Sequence, residues 1–481
     1  MGNKVDDKEL FKGYGPETVT VFRKFNVKVW SDVEIKATTG EFKGVILPRS
    51  EQAPDGYIVL KMDTGYNIGI AAKKIVEMNQ TGIPFVDANM REMNQTGFRE
   101  GKYKIPEKEF PTSANKPNVV LLGTGGTIAS RLDYRTGAVI PAFSPGELYG
   151  AVPELADICN LNTKKIFGIF SEDMSAVQWK AIATAIDEEI KNGADGIVIG
   201  HGTDTMHYTS AALTYMCQDL PVPVVIVGSQ RSSDRPSSDA ARNLIHAVKA
   251  ASESDLAEVM VCMFGPTSDE YGLIHRGTRV RKMHSSYRST FRTIGDIPLA
   301  MISEDWIKPL QKDYKRRDMD RKLKLTPAFE DKVSILYYYP NMNPDLVDSL
   351  RDNGYKGLII AGTGLGHVNR KLNPALKRAI DGGMHVYMTV QTLWGFVQMY
   401  VYDTGRDLLE LGVVPCANMI PETAYMKLGW ALGQTDDPEE VRKIMLNPVC
   451  HDITEGEPSN GYLIFQGGIP EVEEFLHNIR F

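Results

Sequence analysis

The sequence lacks three features that would each assign it to a broad class: paired cysteines, long apolar runs and an excess of positive charge. Its five cysteines form no CxxC pair and no His/Cys cluster at metal-ligand spacing, which argues against a disulfide framework and a structural zinc site. The apolar runs are far shorter than a bilayer span, and the N-terminal MGNKVDDKEL lacks the apolar core of a signal peptide. We therefore expect a cytoplasmic protein with reduced thiols and no membrane contact.

The charge balance argues against a protein that holds nucleic acid by its overall charge. Lys and Arg total 54 against 61 Asp and Glu, a net charge of −7. A basic segment nevertheless follows Trp306, with Lys315, Arg316, Arg317, Arg321, Lys322 and Lys324. It has two interpretations, a contact with RNA or a solvated interdomain linker. The interspersed Asp313, Asp318 and Asp320 favour the linker.

Length and composition are those of a multidomain globular protein. At about 150 residues per domain, 481 residues indicate roughly three domains, and 42% apolar with 24% charged residues is ordinary for a folded chain. We expect a small β-barrel domain, a linker, an α/β domain with the active site, a charged linker and a second α/β domain. Their predicted bounds are 1–85, 86–116, 117–307, 308–331 and 332–481.

The first domain is predicted from short β-rich runs between Asn26 and Met78, separated by turn signals such as Ala53-Pro54-Asp55-Gly56. The first of these runs covers residues 26–31. A polar stretch follows, in which the hexapeptide Glu-Met-Asn-Gln-Thr-Gly occurs at Glu77 and again at Glu92. Two copies do not make a repeat architecture, so we interpret the stretch as a connector.

From Val119 onwards the pattern changes to α/β. Apolar runs such as Gly196-Ile-Val-Ile-Gly alternate with amphipathic stretches of helical length, for example 175–192 and 206–218. Continuously apolar strands predict sheets that are covered on both faces, and hence mostly parallel.

Three glycine-rich turns follow predicted strands, at Gly123, Gly200 and Gly362. None is a dinucleotide-binding fingerprint, because the third glycine of G-x-G-x-x-G is replaced by Ile128, Thr205 and His367. The first two turns instead carry hydroxyl groups. Taken alone, each of these two turns is better explained as a tight strand-to-helix turn that uses Gly and Thr for its geometry.

Together, the two turns suggest nucleophilic chemistry. Gly125-Gly126-Thr127 and His201-Gly202-Thr203-Asp204 each follow a predicted strand, where ligands bind in open α/β sheets. A threonine hydroxyl is a poor nucleophile until a base takes its proton, and a Thr–Asp pair with a lysine would supply that base.

The two motifs Thr124-Gly-Gly-Thr-Ile-Ala129 and His201-Gly-Thr-Asp-Thr205 resemble the signatures of the L-asparaginase family, in the family's order. The resemblance covers roughly residue 118 to the C-terminus and implies a two-domain α/β core with mostly parallel sheets. It implies hydrolysis of a side-chain amide through an acyl-enzyme, with Thr127 as the nucleophile. Water would then be activated by Thr203, Asp204 and Lys282.

The same resemblance assigns further residues. It places Tyr134 against the nucleophile as a catalytic residue, and it aligns Lys282 with the lysine that pairs with the Thr-Asp motif. Ser171-Glu172-Asp-Met is similar to the family's S-Q-D-M segment, so Ser171 and Glu172 are expected to bind substrate, although Glu172 replaces the usual Gln. Gly126 and Gly202 complete the predicted substrate-binding set, and no metal ligand is expected.

The arrangement of a β-barrel domain before such a core is similar to that of the D subunits of the archaeal glutamyl-tRNA(Gln) amidotransferase. The segments 130–139 and 421–433 also resemble the corresponding segments of those subunits. The resemblance implies a glutaminase that supplies ammonia to an E subunit. That partner would bind misacylated tRNA(Gln) and use ATP and magnesium, and this chain would need no cofactor. A homodimer within a D2E2 heterotetramer is implied as well.

Two alternatives to this function remain open from the sequence. One is a stand-alone L-asparaginase or glutaminase with an unrelated N-terminal module, and the other is a non-catalytic scaffold subunit that has kept the fold. The scaffold is disfavoured because the threonines, Asp204 and Lys282 are all present. The N-terminal domain and the two subfamily-like segments disfavour the stand-alone enzyme.

Overall fold

A computed structural model gives the fold of the chain. It describes residues 10–49, 52–62, 67–81, 113–125, 130–132, 139–141, 152, 154–231 and 237–462. Within these ranges the chain forms an N-terminal antiparallel sheet and two α/β layers.

The N-terminal sheet has five antiparallel strands in the order β4-β3-β2-β1-β5. Buried and exposed residues alternate along β1, as expected for a strand with one face on a core. The core includes Phe22, Ile35 and Ile58. The strands are β1 (Asp32–Ala37), β2 (Gly40–Ile46), β3 (Tyr57–Met62), β4 (Asn67–Ala71) and β5 (Ile75–Gln80).

Three details of this region differ from the sequence-based expectation. Residues 26–31 form a turn rather than a strand, because Asn26 and Trp30 both adopt positive φ angles of 52° and 71°. Ahead of the sheet lies an unpredicted helix, α1 (Pro16–Lys24), whose first amides donate to the Asp55 carboxylate. The first copy of the duplicated hexapeptide begins inside β5 rather than in a connector. The second copy lies outside the described residues.

The second layer is an eight-stranded sheet in the order β18-β17-β14-β13-β12-β10-β6-β9. The five strands from β9 to β13 in this order pair in parallel, and the remaining three are antiparallel. The strands are β6 (Asn118–Gly125), β9 (Asn160–Ile169), β10 (Gly196–Gly200), β12 (Val224–Val227), β13 (Val259–Phe264), β14 (Gly272–Arg276), β17 (Ala300–Ile302) and β18 (Ile307–Pro309).

Three short strand pairs accompany this sheet: β7 (Ser130–Leu132) with β8 (Val139–Pro141), β11 (Cys217–Gln218) with β19 (Lys324–Leu325), and β15 (Val280–Lys282) with β16 (Phe291–Thr293). The helices around it are α2 (Leu155–Ile158), α3 (Ala176–Lys191), α4 (Met206–Met216) and α5 (Ala240–Glu253).

Both faces of the central strands of the eight-stranded sheet are buried, as their apolar sequences predict. Alternate residues of β10 point to opposite faces, so that Ile199 packs with α3 and α4 while Val198 packs with α5. This two-sided burial fixes the register of the central strands, because a shift by one residue would exchange the two faces.

The C-terminal layer is a four-stranded parallel sheet in the order β20-β21-β22-β23. Its strands are β20 (Val333–Tyr337), β21 (Gly357–Gly362), β22 (His385–Val390) and β23 (Val414–Pro415). Its helices are α6 (Asp345–Asp352), α7 (Asn373–Asp381), α8 (Asp403–Leu411), α9 (Pro421–Gln434) and α10 (Pro438–Leu446).

Helix α9 joins the two α/β layers. Met426 and Trp430 pack into the core of the eight-stranded layer, whereas Ala424 and Leu428 pack into that of the four-stranded layer. A helix that is apolar around most of its circumference is a buried one. Helix α9 therefore lies between the two α/β layers and contributes to the core of each.

We expect Gly429→Ala, in the middle of α9, to destabilise the protein by about 1–3 kcal/mol, because its Cβ would lie 2.2 Å from Phe329 Cζ. Helix propensity alone predicts the opposite sign, a gain of about 1 kcal/mol. Urea unfolding measures the difference. The matched control is Gly456→Ala, where no atom lies within 4 Å of the new Cβ. A stabilised Gly429→Ala variant would contradict the close approach of α9.

The basic segment after Trp306 packs against the eight-stranded layer. Arg316 pairs with Asp255 and Lys315 pairs with Asp219. The guanidinium of Arg317 donates to four main-chain carbonyls, those of Asp195, Ala251, Ser252 and Ser254. These contacts favour a structural role over a contact with RNA. The segment is, however, packed against the domain and not a solvated linker.

The described helices include none that is both long and apolar enough to cross a bilayer. All five cysteines carry free thiols.

Candidate active site

The two signature motifs lie on neighbouring strands. Strands β6 and β10 pair in parallel with Gly123 opposite Gly200, so both strands end at the same edge of the sheet. The Thr124 hydroxyl donates to the Gly200 carbonyl at 2.7 Å and ties the two ends together. Gly126, Thr127 and Tyr134 lie outside the described residues, so their assigned roles stay predictions.

At this edge the structure brings together Thr203, Asp204 and Lys282. The Lys282 Nζ donates to Thr203 Oγ1 at 2.8 Å and to Asp204 Oδ1 at 2.7 Å, across 78 residues of sequence or more. The lysine side chain is 8% exposed, whereas that of Asp204 is 69% exposed. The hydroxyl thus touches a nitrogen that, once neutral, can accept its proton, and the carboxylate fixes the position of that nitrogen.

The turn that carries Thr203 begins with His201, a histidine that is part of the scaffold. His201 is fully buried, its Nδ1–H donates to the Gly202 carbonyl at 2.6 Å, and its Nε2 accepts from the Thr209 hydroxyl. Burial lowers the pKa of His201 to about 4, so the ring stays neutral near neutral pH. With both ring nitrogens engaged, His201 shapes the turn and does not act as the base.

The predicted substrate-binding residues Ser171 and Glu172 lie on a short 3₁₀ turn, Ser171–Asp173, that follows β9. The Thr205 hydroxyl donates to the Ser171 carbonyl at 2.6 Å, and Ser171 is buried while Glu172 is exposed. A Cβ on Gly202 would lie 2.8 Å from the Ser171 Cβ, so only glycine allows this approach. The structure therefore places Ser171 directly beside the Thr203 turn.

Lys282 does not stand on the main sheet. It ends β15, which pairs with β16 and is held by the C-terminal layer. The buried Arg279 donates to the carbonyls of His451 and Asn418, and the Thr278 hydroxyl donates to the Cys450 carbonyl. The C-terminal layer therefore positions the lysine relative to Thr203.

Several residues of the site were not identified from the sequence. Next to Lys282, Arg281 Nε lies 2.9 Å from Oε1 of Glu422, a carboxylate that is only 2% exposed. His207, in the first turn of α4, lines a polar pocket together with Lys282 and Glu422. Glu422 falls in the segment 421–433, which carries the subfamily resemblance, but a resemblance alone does not indicate which side chain reaches the site.

Family models match three parts of the chain. The asparaginase N-terminal domain matches residues 118–315, the glutaminase/asparaginase C-terminal domain matches 332–445, and the GatD N-terminal domain matches 27–79.

Among curated proteins, three similar relatives are named as the D subunit of glutamyl-tRNA(Gln) amidotransferase. The Thermococcus kodakarensis protein is 50% identical over 86% of this chain and 90% of its own length. The Pyrococcus furiosus protein is 49% identical over 88% of this chain and 93% of its own length. The Methanothermobacter thermautotrophicus protein is 45% identical over 90% of this chain and 96% of its own length.

Similar solved structures are L-asparaginases. The Thermococcus kodakarensis enzyme superposes with a TM-score of 0.62 at 32% identity, covering 70% of this chain and all of that one. L-asparaginase I from Vibrio cholerae gives the same TM-score at 27% identity, covering 70% of this chain and 99% of that one.

Proposed function

The chain belongs to the family of glutamyl-tRNA(Gln) amidotransferase D subunits, built on an asparaginase-like core, and on this premise we propose how it works. It is the glutaminase subunit of a tRNA-dependent amidotransferase, and it supplies ammonia to a partner subunit that converts Glu-tRNA(Gln) to Gln-tRNA(Gln). The observation that carries the catalytic assignment is the contact of Lys282 Nζ with both Thr203 Oγ1 and Asp204 Oδ1.

The first half-reaction is acyl transfer to a threonine. The Thr127 hydroxyl attacks the carboxamide carbon of glutamine, the C–N bond breaks, and the hydroxyl proton leaves with the nitrogen as ammonia. The product is an ester between Thr127 and the glutamyl group. Ser171 and Glu172 hold the substrate's α-carboxylate and α-amino groups, and Tyr134 abuts the nucleophile.

The second half-reaction is hydrolysis of that ester. Neutral Lys282, held by Thr203 and Asp204, takes one proton from water as the water oxygen attacks the ester carbonyl. The lysine returns this proton to the Thr127 oxygen as the ester bond breaks and glutamate leaves. Asp204 orients the lysine throughout, because its carboxylate lies 2.7 Å from Nζ.

In this proposal the partner is an E subunit that holds the tRNA and uses ATP and magnesium. This chain pairs with itself within a D2E2 heterotetramer. Its net charge of −7 agrees with a subunit that leaves most tRNA contacts to the partner.

The stand-alone L-asparaginase is the second candidate, because the similar solved structures are L-asparaginases. These structures cover only 70% of the chain. The N-terminal sheet, which matches the GatD N-terminal domain, is unexplained by that activity. Glutamine and asparagine differ by one methylene, which a pocket typically discriminates by only about 1–3 kcal/mol.

The test is ammonia release from glutamine and from asparagine, measured with and without the E subunit and Glu-tRNA(Gln). We expect slow glutamine hydrolysis by the chain alone and a rise of about tenfold or more in the complex, a usual size for coupling between sites. Rapid asparagine hydrolysis that the partner does not change would instead identify a stand-alone asparaginase.

A further inference from the structure

A relay of four hydrogen-bonded groups lies behind the catalytic turn. The Trp179 indole, in α3, donates from Nε1 to the Thr209 hydroxyl at 3.0 Å. That hydroxyl lies 2.8 Å from Nε2 of His201, and Nδ1 of the same ring lies 2.6 Å from the Gly202 carbonyl oxygen. This hydrogen-bond relay therefore runs from α3 through α4 to the residue that precedes Thr203.

Chemistry fixes the direction of each hydrogen bond in the relay. A main-chain carbonyl can only accept, so the proton of the neutral His201 ring is on Nδ1, and Nε2 is an acceptor. Nε2 therefore accepts from the Thr209 hydroxyl. The oxygen of that hydroxyl in turn accepts from Trp179, because an indole N–H can only donate. Each group has one role, so the relay specifies one tautomer and one ring orientation for His201.

The relay is shielded from water, which raises the cost of breaking it. Trp179, Thr209 and His201 are 6%, 0% and 0% exposed. A buried polar atom that loses its partner finds no solvent to replace it, so the loss costs more than the hydrogen bond itself contributes. The outer end of the relay is anchored as well, because the Trp179 ring packs against Phe329 with ring centroids 5.5 Å apart.

The turn at the inner end of the relay is closely packed on its other sides. A Cβ on Gly202 would lie 2.8 Å from the Ser171 Cβ, and one on Gly228 would lie 2.9 Å from Thr203 Cγ2. A reorientation of the His201 ring is therefore passed on to Thr203, because there is no empty space beside the turn to absorb it.

We propose that Thr209 is a positioning residue for amide hydrolysis, whose hydroxyl orients the His201 ring and thereby the turn that carries Thr203. The inference rests on the proposed glutaminase function. The distance that depends on the relay is the 2.8 Å between Thr203 Oγ1 and Lys282 Nζ. Since a misplacement of about 1 Å can lower a rate by about 10²-fold, a hydroxyl that never meets the substrate can still govern the turnover rate.

The substrate-binding side of the site has its own attachment to the same helix. The Thr205 hydroxyl, one helical turn before Thr209, donates to the Ser171 carbonyl. Loss of the Thr209 hydroxyl leaves this contact in place. We therefore expect that loss to lower kcat for glutamine while KM stays nearly unchanged, a combination that general loosening of the site would not give.

The experiment replaces Thr209 by valine, which keeps the branched shape and removes the hydroxyl. It measures glutamine hydrolysis by the assembled complex with Glu-tRNA(Gln). Nε2 of His201 and Nε1 of Trp179 then both lack a partner, so kcat should fall about tenfold, while KM should change by less than about twofold. Thr209→Ser restores the hydroxyl and should bring kcat back to within about threefold of wild type.

The matched control is Thr214→Val on the same helix. Thr214 is buried too, and its hydroxyl donates to the Ser210 carbonyl at 2.8 Å, outside the relay. The kcat of this variant should equal that of wild type. An equal fall in Thr214→Val and Thr209→Val would overturn the proposal, because it would trace the effect to the packing of α4 in general.

A double-mutant cycle with Thr203 separates positioning from stability. In a Thr203→Ala background, Thr209→Val should cause no further loss of kcat, because the hydroxyl that the relay positions is already absent. A merely structural Thr209 would lower kcat by the same factor in both backgrounds, and that result would also overturn the proposal.

Trp179→Phe, which removes the first donor of the relay and keeps an aromatic ring, gives a second cycle should Thr209→Val fail to fold. It should lower kcat by about fivefold in wild type and not at all in Thr203→Ala. Unchanged kcat in both Thr209→Val and Trp179→Phe would refute the relay. Absence of glutamine hydrolysis in the wild-type complex would instead refute the proposed function itself, and the same cycle would then be measured with asparagine.

Discussion

Replacing Thr203 by alanine is expected to lower glutamine hydrolysis by about 10²–10⁴-fold, the usual contribution of a positioned proton-transfer group. The substitution removes the hydroxyl that lies 2.8 Å from Lys282 Nζ and leaves the lysine paired with Asp204 alone. The measurement is ammonia release at saturating glutamine. Supplied with ammonium chloride in place of glutamine, the complex should still form Gln-tRNA(Gln), because the partner's chemistry does not use this threonine.

Thr203→Ser is the matched control, since it keeps the hydroxyl and loses one methyl group. It should retain much more activity than the alanine variant. A drop of equal size in both variants would indicate that packing around the buried Thr203 matters rather than its hydroxyl. Full glutamine hydrolysis in Thr203→Ala would rule out the assignment of Thr203 to either half-reaction.

The sequence was sufficient to predict the α/β core and the pairing of its two motifs. Apolar runs such as Gly196–Gly200 follow directly from burial on both faces, and glycine-rich turns after strands indicate a ligand-binding edge. Turns that follow neighbouring parallel strands lie at the same edge of the sheet. Thr203 and Asp204, which follow β10, indeed lie beside the end of β6. The predicted domain bounds and the role of Thr127 remain predictions.

What the sequence could not predict depends on contacts between distant segments. Arg279 and Glu422 read as ordinary charged residues, and only the docking of the C-terminal layer buries them beside the catalytic lysine. The basic segment was ambiguous for the same reason, because the main-chain carbonyls that bind Arg317 are invisible in a sequence. The turn at residues 26–31 was missed because its β-forming composition says nothing of the positive φ angles.

A second large effect is expected at the buried ion pair that links α9 to the segment following α10. Lys427 and Asp452 have fully buried side chains and lie 2.6 Å apart. The ammonium also donates to the carbonyls of Met445 and Asn447, and the Tyr215 hydroxyl of α4 donates to the carboxylate. The pair therefore connects the two α/β layers. It lies close in sequence to Cys450 and His451, whose carbonyls accept hydrogen bonds from the residues just before β15.

Lys427→Met should lower the free energy of unfolding by about 3–5 kcal/mol, because it leaves the Asp452 carboxylate buried without its counter-ion. Urea unfolding is the measurement. The control is Lys443→Met, whose ammonium lies 3.5 Å from Glu440 in an exposed pair and should change stability by no more than about 1 kcal/mol.

The double variant Lys427→Met/Asp452→Asn separates the charge from the packing. With both charges removed, the loss should be smaller than the sum of the two single losses, since neither partner is then left as an isolated ion. Additive losses would mean that the pair acts only by filling space.

The Cys450 and His451 carbonyls accept hydrogen bonds from the residues just before β15, the strand that ends in Lys282. Lys427→Met should therefore also lower kcat for glutamine at urea concentrations too low to unfold the protein. Unchanged kcat there would separate the stability of the layers from the position of the catalytic lysine.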